Sequence, residues 1–260
     1  MPRPRWRLIL DGAQLGARNM AVDGALLCSR AGGGPPTLRL YRWDAPTASL
    51  GRFQPLGDAD AEACARLGVA IVRRATGGRG VLHDDELTYS VTVSPDDGVP
   101  RGVSASYRHI GAALVEAYRI LGVAAELTAT HRGRRGSGAC YLSATQADLS
   151  LAGAKLSGSA QVWADGACLQ HGSFVVTRDV PREAAVFRLA EDAAAALASE
   201  AVTIAEARGD RPADGALVDA VIAGFERALG ISLEPGAVTA EELEAAAASE
   251  ETHRLLTIAG

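Results

Sequence analysis

The chain has 260 residues, of which 48% are hydrophobic and 22% charged, a composition that can bury a core and excludes a wholly disordered protein. Residues 1–180 carry 20 basic and 16 acidic side chains (net +4) and residues 181–260 carry 6 and 15 (net −9), which argues against a general nucleic-acid-binding surface. Every apolar run is far shorter than the roughly 18 residues of a membrane span, so we predict a cytoplasmic protein with neither membrane nor nucleic-acid partners.

Apolar patterning predicts alternating strands and helices in the first half of the chain. Alternation of apolar and polar residues marks strands, whereas apolar residues three and four apart mark helices. In chain order the patterns predict a strand at 6–10, a helix at 19–28, strands at 38–43 and 48–50, a helix at 59–67, strands at 70–73 and 87–93, and a helix at 103–121.

The second half begins with a basic, glycine-rich segment at 131–138, which we predict to be a mobile surface loop. After it the sequence predicts two successive hairpins, formed by strands at 148–151, 156–163 and 168–177. Beyond Pro181 the chain is acidic and helical, with breaks near 209–212 and 230–236.

This order of elements favours an α+β fold over a doubly wound parallel sheet. Adjacent strands that form hairpins are antiparallel, and the several helices would cover one side of a mixed, mostly antiparallel sheet. We expect residues 1–180 to form the core of the domain and residues 181–260 to pack on that same domain through their apolar faces.

The densest chemical signal is the glycine-rich segment at 73–84. Gly77 and Gly78, directly after Thr76, let the backbone approach a ligand closely, and Arg74 and Arg79 offer forked donors to a carboxylate or phosphate. The alternative is a hairpin connection with solvated arginines. We interpret the segment as a candidate substrate-binding loop.

A second segment surrounds the only lysine of the chain. Lys155 is one of 26 cationic residues and the other 25 are arginine, so a compact ammonium stands where a guanidinium would not serve. The small residues Gly158, Ser159 and Ala160 that follow would leave a groove for a slim ligand. The alternative is a chance lysine on a turn.

Two histidines are further candidates for the substrate site. His83 ends the glycine-rich segment, and His171 with Gly172 lies on the strand predicted after Lys155. A single histidine on a strand is more often part of the core than of a site. No two histidines have the spacing of metal ligands, and we predict no metal site.

Cys140 is the candidate nucleophile, 15 residues before Lys155. If the fold brings the two together, the ammonium would stabilise the thiolate and activate it. Sequence spacing alone leaves that contact open. A structural role is the alternative for Cys140, and on pattern alone three other cysteines have equal claim to the reactive role: Cys28, Cys64 and Cys168.

Taken together, these motifs resemble those of one enzyme family. Residues 73–90 (RRATGGRGVLHDDELTYS) resemble the signature of the lipoate and octanoate transfer enzymes, and GAKLSGSAQ and LQHGS complete that pattern in order. The resemblance extends from about residue 6 to about residue 242. Where lipoate-protein ligases carry Arg-Asn-Asp, this chain has Ala139-Cys140-Tyr141-Leu142, which is similar to the LipM-type octanoyltransferases, as is the tail ISLEPGAVTAEEL.

The resemblance implies the fold of the biotin and lipoate protein ligases, with residues 1–180 as catalytic core. It implies an acyltransferase of lipoate biosynthesis, in which Cys140, helped by Lys155, accepts octanoate from octanoyl-acyl carrier protein and passes it to a lysine of a lipoyl domain such as the glycine cleavage H protein. That chemistry needs no cofactor. The alternative is an ATP-dependent lipoate-protein ligase, which requires Mg²⁺. The basic loop with Arg132, Arg134 and Arg135 either steers acidic carrier proteins or is a solvated linker.

Overall fold

The computed structural model describes residues 3–128, 132–133, 138–144 and 148–256, with the backbone alone described at 132–133 and 143–144. The helices are α1 Gly16–Ala31, α2 Ala61–Leu67, α3 Val103–Ile120, α4 Val180–Val186, α5 Glu191–Glu200, α6 Ile204–Arg208, α7 Asp214–Leu229 and α8 Ala240–His253. The strands are β1 Arg5–Gln14, β2 Thr37–Trp43, β3 Thr47–Leu50, β4 Ala70–Arg73, β5 Val81–His83, β6 Glu86–Val93, β7 Glu126–Leu127, β8 Arg132–Gly133, β9 Ser143–Ala144, β10 Leu149–Leu151, β11 Ala154–Ser157, β12 Ser159–Ala164, β13 Ala167–Val175, β14 Ser232–Pro235 and β15 Arg254–Leu256.

A mixed sheet lies at the centre of the fold, with the strand order β12-β13-β6-β2-β1-β14. Its first four strands pair antiparallel, and β1 pairs parallel with both β2 and β14. The described residues form three smaller sheets as well, β15-β4-β3-β5, β11-β10-β7 and the two-stranded β8-β9. The α+β class and the mixed, mostly antiparallel sheet predicted from the sequence are confirmed.

Helices cover both faces of the central sheet, so the expectation of helices on one side is wrong. Successive residues of a strand point to opposite faces. Leu8 packs into the core beneath α3 and α7, whereas Ile9 packs with residues of α1 and α8. Gly224 of α7 lets α3 and α7 approach closely, because a Cβ there would lie 2.7 Å from the carbonyl oxygen of Ala113.

The strand predicted at 156–163 is in fact two strands in two different sheets. It divides at Gly158: β11 pairs with β10 in the three-stranded sheet, and β12 pairs with β13 in the central sheet. Both parts have the alternating pattern of a strand, so periodicity alone could not reveal the division. Strands β14 and β15 were not predicted, because each is short and pairs with a strand far away in sequence.

The acidic C-terminal segment packs on the rest of the chain. Helix α7 packs on α3 and α8 on α1, and Arg7 of β1 donates two hydrogen bonds, of 2.9 and 2.7 Å, to the carboxylate of Glu242. The boundary at residue 180 stays a prediction. Most of the predicted basic loop, including Arg134 and Arg135, lies outside the described residues. No helix in the described ranges is both long and apolar enough to cross a bilayer.

Candidate active site

The candidate nucleophile lies on a short turn held against β5. Cys140 begins a 3₁₀ turn, Cys140–Leu142, and its N–H donates to the carbonyl of Gly80 at 2.7 Å. The N–H of Gly80 in turn donates to the carbonyl of Gly138 at 2.8 Å. These two bonds fix the backbone on either side of residue 139 and leave Cys140 half-buried.

Lys155 and Cys140 are in contact, the point that the sequence left open. Lys155, on β11, places Nζ 3.5 Å from the Sγ of Cys140 and 3.1 Å from its carbonyl oxygen, and 3.0 Å from Oδ2 of Asp148. The lysine is only 3% exposed. Burial acts to lower the pKa of Lys155, but the charges of Cys140 and Asp148 outweigh it and raise that pKa above its ordinary value. Lys155 is therefore an ammonium at neutral pH.

Gly158 provides the space in which the thiol and the ammonium meet. A Cβ at this position would lie 3.5 Å from Sγ of Cys140, 3.4 Å from Nζ of Lys155 and 3.3 Å from its Cε. The division between β11 and β12 thus falls at the residue that faces the reactive pair. Any larger side chain at 158 would occupy the space next to the thiol.

A cavity extends from Cys140 between the sheets. It contains about 490 Å³ of space between atoms, part of it open to solvent. Eight of the predicted substrate residues line it together with Cys140: Arg74, Gly78, His83, Gly158, Ser159, Ala160, His171 and Gly172. Thr76, Gly77 and Arg79 do not line it. Gly77 and Arg79 belong to the glycine-rich loop beside it, and Thr76 contacts His171 from behind.

The buried guanidinium of Arg74 holds the glycine-rich loop from inside. Its Nη2 donates to the carbonyls of Gly77 and Arg79 at 2.8 and 2.7 Å, and its Nη1 donates to the carbonyl and hydroxyl oxygens of Ser49. Burial lowers its pKa. These donors all bond to oxygen atoms of the protein, so Arg74 fixes the shape of the loop. The expectation that its guanidinium is free to bind an anion is therefore not met.

His171 belongs to a buried chain of polar side chains behind the cavity. Its Nδ1 lies 3.0 Å from Asp23 and its Nε2 lies 2.7 Å from the hydroxyl of Thr76. Asp23 also accepts from Arg39 at 2.9 Å and from Tyr41 at 3.0 Å. Burial lowers the pKa of His171 despite the carboxylate beside it. Burial alone would raise the pKa of Asp23, but the bond from His171 and the charge of Arg39 lower it. The pair is accordingly a neutral imidazole that donates from Nδ1 to a carboxylate.

His83 has a similar arrangement on the opposite wall. Its Nδ1 lies 2.8 Å from Glu86, its Nε2 lies 2.8 Å from the hydroxyl of Ser49, and its ring stacks on Trp43 with centroids 4.0 Å apart. Glu86 also accepts from the hydroxyl of Ser173 at 2.8 Å. Burial would raise the pKa of Glu86, but the interactions with His83 outweigh it and lower that pKa. Both predicted histidines thus line the cavity with their ring nitrogens occupied.

Three acidic residues of this site were not predicted from the sequence. Asp148, Asp23 and Glu86 are all at most 2% exposed and all bind a predicted site residue. For Glu86 the sequence did contain an indication of a buried charge, because this acidic residue directly precedes the apolar pattern of a strand, which the structure shows to be buried along its whole length. Within the described ranges no cluster of three or more His, Cys, Asp or Glu side chains has an arrangement suited to a metal ion.

Comparison with known proteins places this geometry in a family. Residues 16–226 match the family model described as the lipoyl protein ligase A/B catalytic domain. The chain is 42% identical over 255 residues to octanoyltransferase LipM of Kyrpidia tusciae, with 93% of each chain covered. It is 41% identical over 251 residues to octanoyltransferase LipM of Symbiobacterium thermophilum, with 91% of each chain covered.

A solved structure supports the fold. The chain superposes with a TM-score of 0.78 on a bi-partite lipoate protein ligase of Thermoplasma acidophilum, which was determined in a study of that ligase and its E2 lipoyl domain. The two are 24% identical, and the match covers 95% of this chain and 92% of the ligase. At this identity the likeness concerns the fold alone, and it agrees with the ligase-like fold that the sequence implied.

Proposed function

Because the chain belongs to the lipoyl protein ligase A/B catalytic domain family, we propose that it is an octanoyltransferase of lipoate biosynthesis. It takes the octanoyl group from octanoyl-acyl carrier protein onto Cys140 and transfers it to a lysine of a lipoyl domain, such as the glycine cleavage H protein. The two LipM relatives support the reaction class. The observation that carries the mechanism is the 3.5 Å contact between Sγ of Cys140 and Nζ of Lys155 at the end of the cavity.

In the first half-reaction the thiolate of Cys140 attacks the carbonyl carbon of the donor thioester. The new C–S bond forms, the bond to the carrier sulfur breaks, and the carrier thiolate leaves and takes up a proton from solvent. The ammonium of Lys155 stabilises the attacking thiolate and the oxyanion that develops next to it. Asp148 orients the ammonium and keeps it charged.

In the second half-reaction the neutral amine of the acceptor lysine attacks the thioester on Cys140. The C–N bond forms, the C–Sγ bond breaks, and the nitrogen loses one proton to solvent. The thiolate returns to its place beside Lys155, so the enzyme is regenerated without a cofactor. The raised pKa of Lys155 makes it a charge stabiliser in both steps rather than a base.

The cavity suits an unbranched acyl chain. It is lined on one side by the small residues Gly158, Ser159 and Ala160 and on the other by the stacked rings of Trp43 and His83. Each methylene buried in such a cavity contributes about 0.8 kcal/mol, so the chain can be held without a charge contact.

Intact-mass measurement tests the proposal. On incubation with octanoyl-acyl carrier protein, the enzyme is expected to gain the mass of one octanoyl group, and the adduct should disappear in Cys140→Ala. The matched control is Cys28→Ala, because Cys28 is the exposed cysteine that lies outside the cavity. An adduct that persists in Cys140→Ala would contradict the assignment.

The same experiment separates the ligase alternative. An ATP-dependent ligase releases pyrophosphate from ATP in the presence of free octanoate or lipoate and keeps this activity in Cys140→Ala. The transferase forms its acyl-enzyme without ATP. Acylation of the lipoyl domain that depends on ATP and not on Cys140 would therefore favour the ligase.

A further inference from the structure

A large apolar side chain is mostly exposed to solvent on the loop that follows β3. Phe53 is 85% exposed, and Leu56, three residues later, is 45% exposed. Both belong to the segment 51–58 that joins β3 to α2, which we call the rim loop. Burying an exposed aromatic ring is a large source of binding free energy, and aromatic residues are prominent among those that carry the affinity of protein interfaces.

The rim loop is held in place by hydrogen bonds from β4 and by one within the loop. Arg73 donates from Nη1 to the carbonyls of Gly51 and Gln54, both at 2.8 Å. The N–H of Gly51 donates to the side-chain oxygen of Gln54 at 3.2 Å. A loop ordered in advance loses little conformational entropy when a partner binds, so Phe53 is presented as a fixed anchor.

The rim loop also contacts the glycine-rich loop and the segment that carries Cys140. The N–H of Arg52 donates to the carbonyl of Thr76 in the glycine-rich loop at 2.8 Å. The side chain of Gln54 donates to the carbonyl of Gly138 at 2.9 Å, two residues before Cys140. A protein that covers Phe53 would therefore lie next to the segment that carries the thiol.

The exposed charge directly beside Phe53 is positive, whereas the acidic residue of the rim loop, Asp58, is half-buried and accepts from the side chain of Gln54 at 3.1 Å. Arg52 is exposed, and its guanidinium lies 5.3 Å from the centroid of the Phe53 ring. The fitting partner has an apolar depression within an acidic surface.

We propose that the rim loop, through Phe53, Leu56 and Arg52, is the docking surface for the acceptor, a lipoyl domain with acidic and apolar residues around its target lysine. This inference rests on the proposed function. The acceptor fits better than the donor because a lysine side chain has only a four-carbon stem. Its domain must approach to the immediate surroundings of Cys140, whereas a donor thioester on a long flexible arm can reach the thiol from a more distant docking surface.

The test measures the two half-reactions separately. Octanoyl-enzyme is prepared with octanoyl-acyl carrier protein and then mixed with the glycine cleavage H protein, or with hydroxylamine as a small nucleophile. Phe53→Ser is expected to lower kcat/KM for transfer to the protein by about 30-fold or more. Formation of the acyl-enzyme and its cleavage by hydroxylamine should not change. Arg52→Glu should also slow transfer and weaken its dependence on salt.

Matched controls come from surfaces that do not line the cavity. Leu243→Ser on α8 and Arg227→Glu on α7 alter an exposed apolar and an exposed basic residue, and both should transfer at the wild-type rate. Normal transfer by Phe53→Ser, or equal slowing of acyl-enzyme formation, would overturn the docking proposal. Failure of the proposed function would look different, because the wild-type enzyme itself would then form no acyl-enzyme.

Discussion

The cluster of Cys140, Lys155 and Asp148 beside the cavity, which we call the mouth, and the cavity walls use the same pairing of a buried carboxylate with a basic side chain, with opposite results. At the mouth, Asp148 and Cys140 hold Lys155 charged, with its pKa raised. On one wall, His171 lies against Asp23 and is nevertheless neutral, because burial lowers its pKa. The ordinary pKa of a lysine lies far above neutral pH, whereas that of a histidine lies close to it. Similar burial therefore leaves the lysine protonated and the histidine neutral.

This difference matches what each part of an acyl substrate requires. The carbonyl carbon develops negative charge on its oxygen in the transition state and needs a cation nearby. The alkyl chain gains nothing from a charge and is best held by walls whose polar atoms are already bonded. The cavity therefore has an ammonium beside the thiol of Cys140 and walls whose polar groups, the guanidinium of Arg74 among them, are bonded to other groups of the protein. The substitutions below alter one region, the other, or the space between them.

The largest loss is expected when the charge at the mouth is removed. In Lys155→Met the thiolate of Cys140 and the developing oxyanion lose their cation, so the rate of S-octanoylation should fall by about 10²–10³-fold. The measurement is the rate of mass gain with octanoyl-acyl carrier protein. Lys155→Arg should restore little of it, since a planar guanidinium does not fit the space between Cys140 and Asp148. Full activity in Lys155→Met would show that the charge is dispensable, and full activity in Lys155→Arg would show that a guanidinium can take the place of the ammonium.

The sequence indicated the candidate residues of the site but not the buried carboxylates that bind them. Cys140 and Lys155 became candidates because one is a cysteine within a motif and the other is the only lysine of the chain. Asp23 could not be identified in this way, since it lies on α1, 148 residues before His171, and only the packing of α1 on the central sheet brings the two together. Local patterns record which residues form a strand or helix, but they do not record which distant element supplies the partner of a buried charge.

The same limit explains the errors in the fold. The predicted strands and helices largely agree with those of the structure, because each depends on neighbours in sequence. The division of one predicted strand at Gly158 and the pairing of β14 with β1 depend on which sheet each segment joins. Which sheet a segment joins is decided by tertiary contacts, and the alternation of apolar residues along a segment carries no information about them.

A smaller loss is expected when the mouth keeps its lysine but loses the carboxylate. Asp148→Asn should lower the rate of acylation by about tenfold at neutral pH, because Lys155 is then held less firmly. Asp148 is one of the groups that raise the pKa of Lys155, so its removal lowers that pKa. The fall in rate on the alkaline side should consequently begin at a lower pH. The exposed Asp219→Asn on α7 is the control, and an unshifted pH profile would contradict this role.

A methyl group between the mouth and the wall should have a still smaller effect. In Gly158→Ala the new Cβ would lie 3.5 Å from Sγ of Cys140 and 3.3 Å from Cε of Lys155. Sγ stays at an ordinary contact distance, but the stem of Lys155 must move by a few tenths of an ångström. Acylation should therefore slow by roughly three- to tenfold while the melting temperature changes little. Gly24→Ala on α1 is the matched control, since nothing lies within 4 Å of its Cβ. Equal rates for both variants would mean that the space at Gly158 is not needed.

Altering a wall should change stability more than catalysis. His171→Asn removes the imidazole that bonds Asp23 and Thr76, at a cost of about 1–3 kcal/mol in the free energy of unfolding.

The folded-state pKa of His171 lies below its ordinary value of 6.5, so the unfolded chain binds the proton more readily. His171 therefore makes the wild-type protein less stable as pH falls below 6.5, whereas Asp23, whose pKa is lowered from 3.8, acts only in more acidic solution. Urea unfolding at pH 7.5 and pH 5.5 should show a smaller loss of stability in His171→Asn than in wild type. An identical loss in both proteins would mean that His171 is not the neutral wall residue described above, and the contrast with Lys155 would fail.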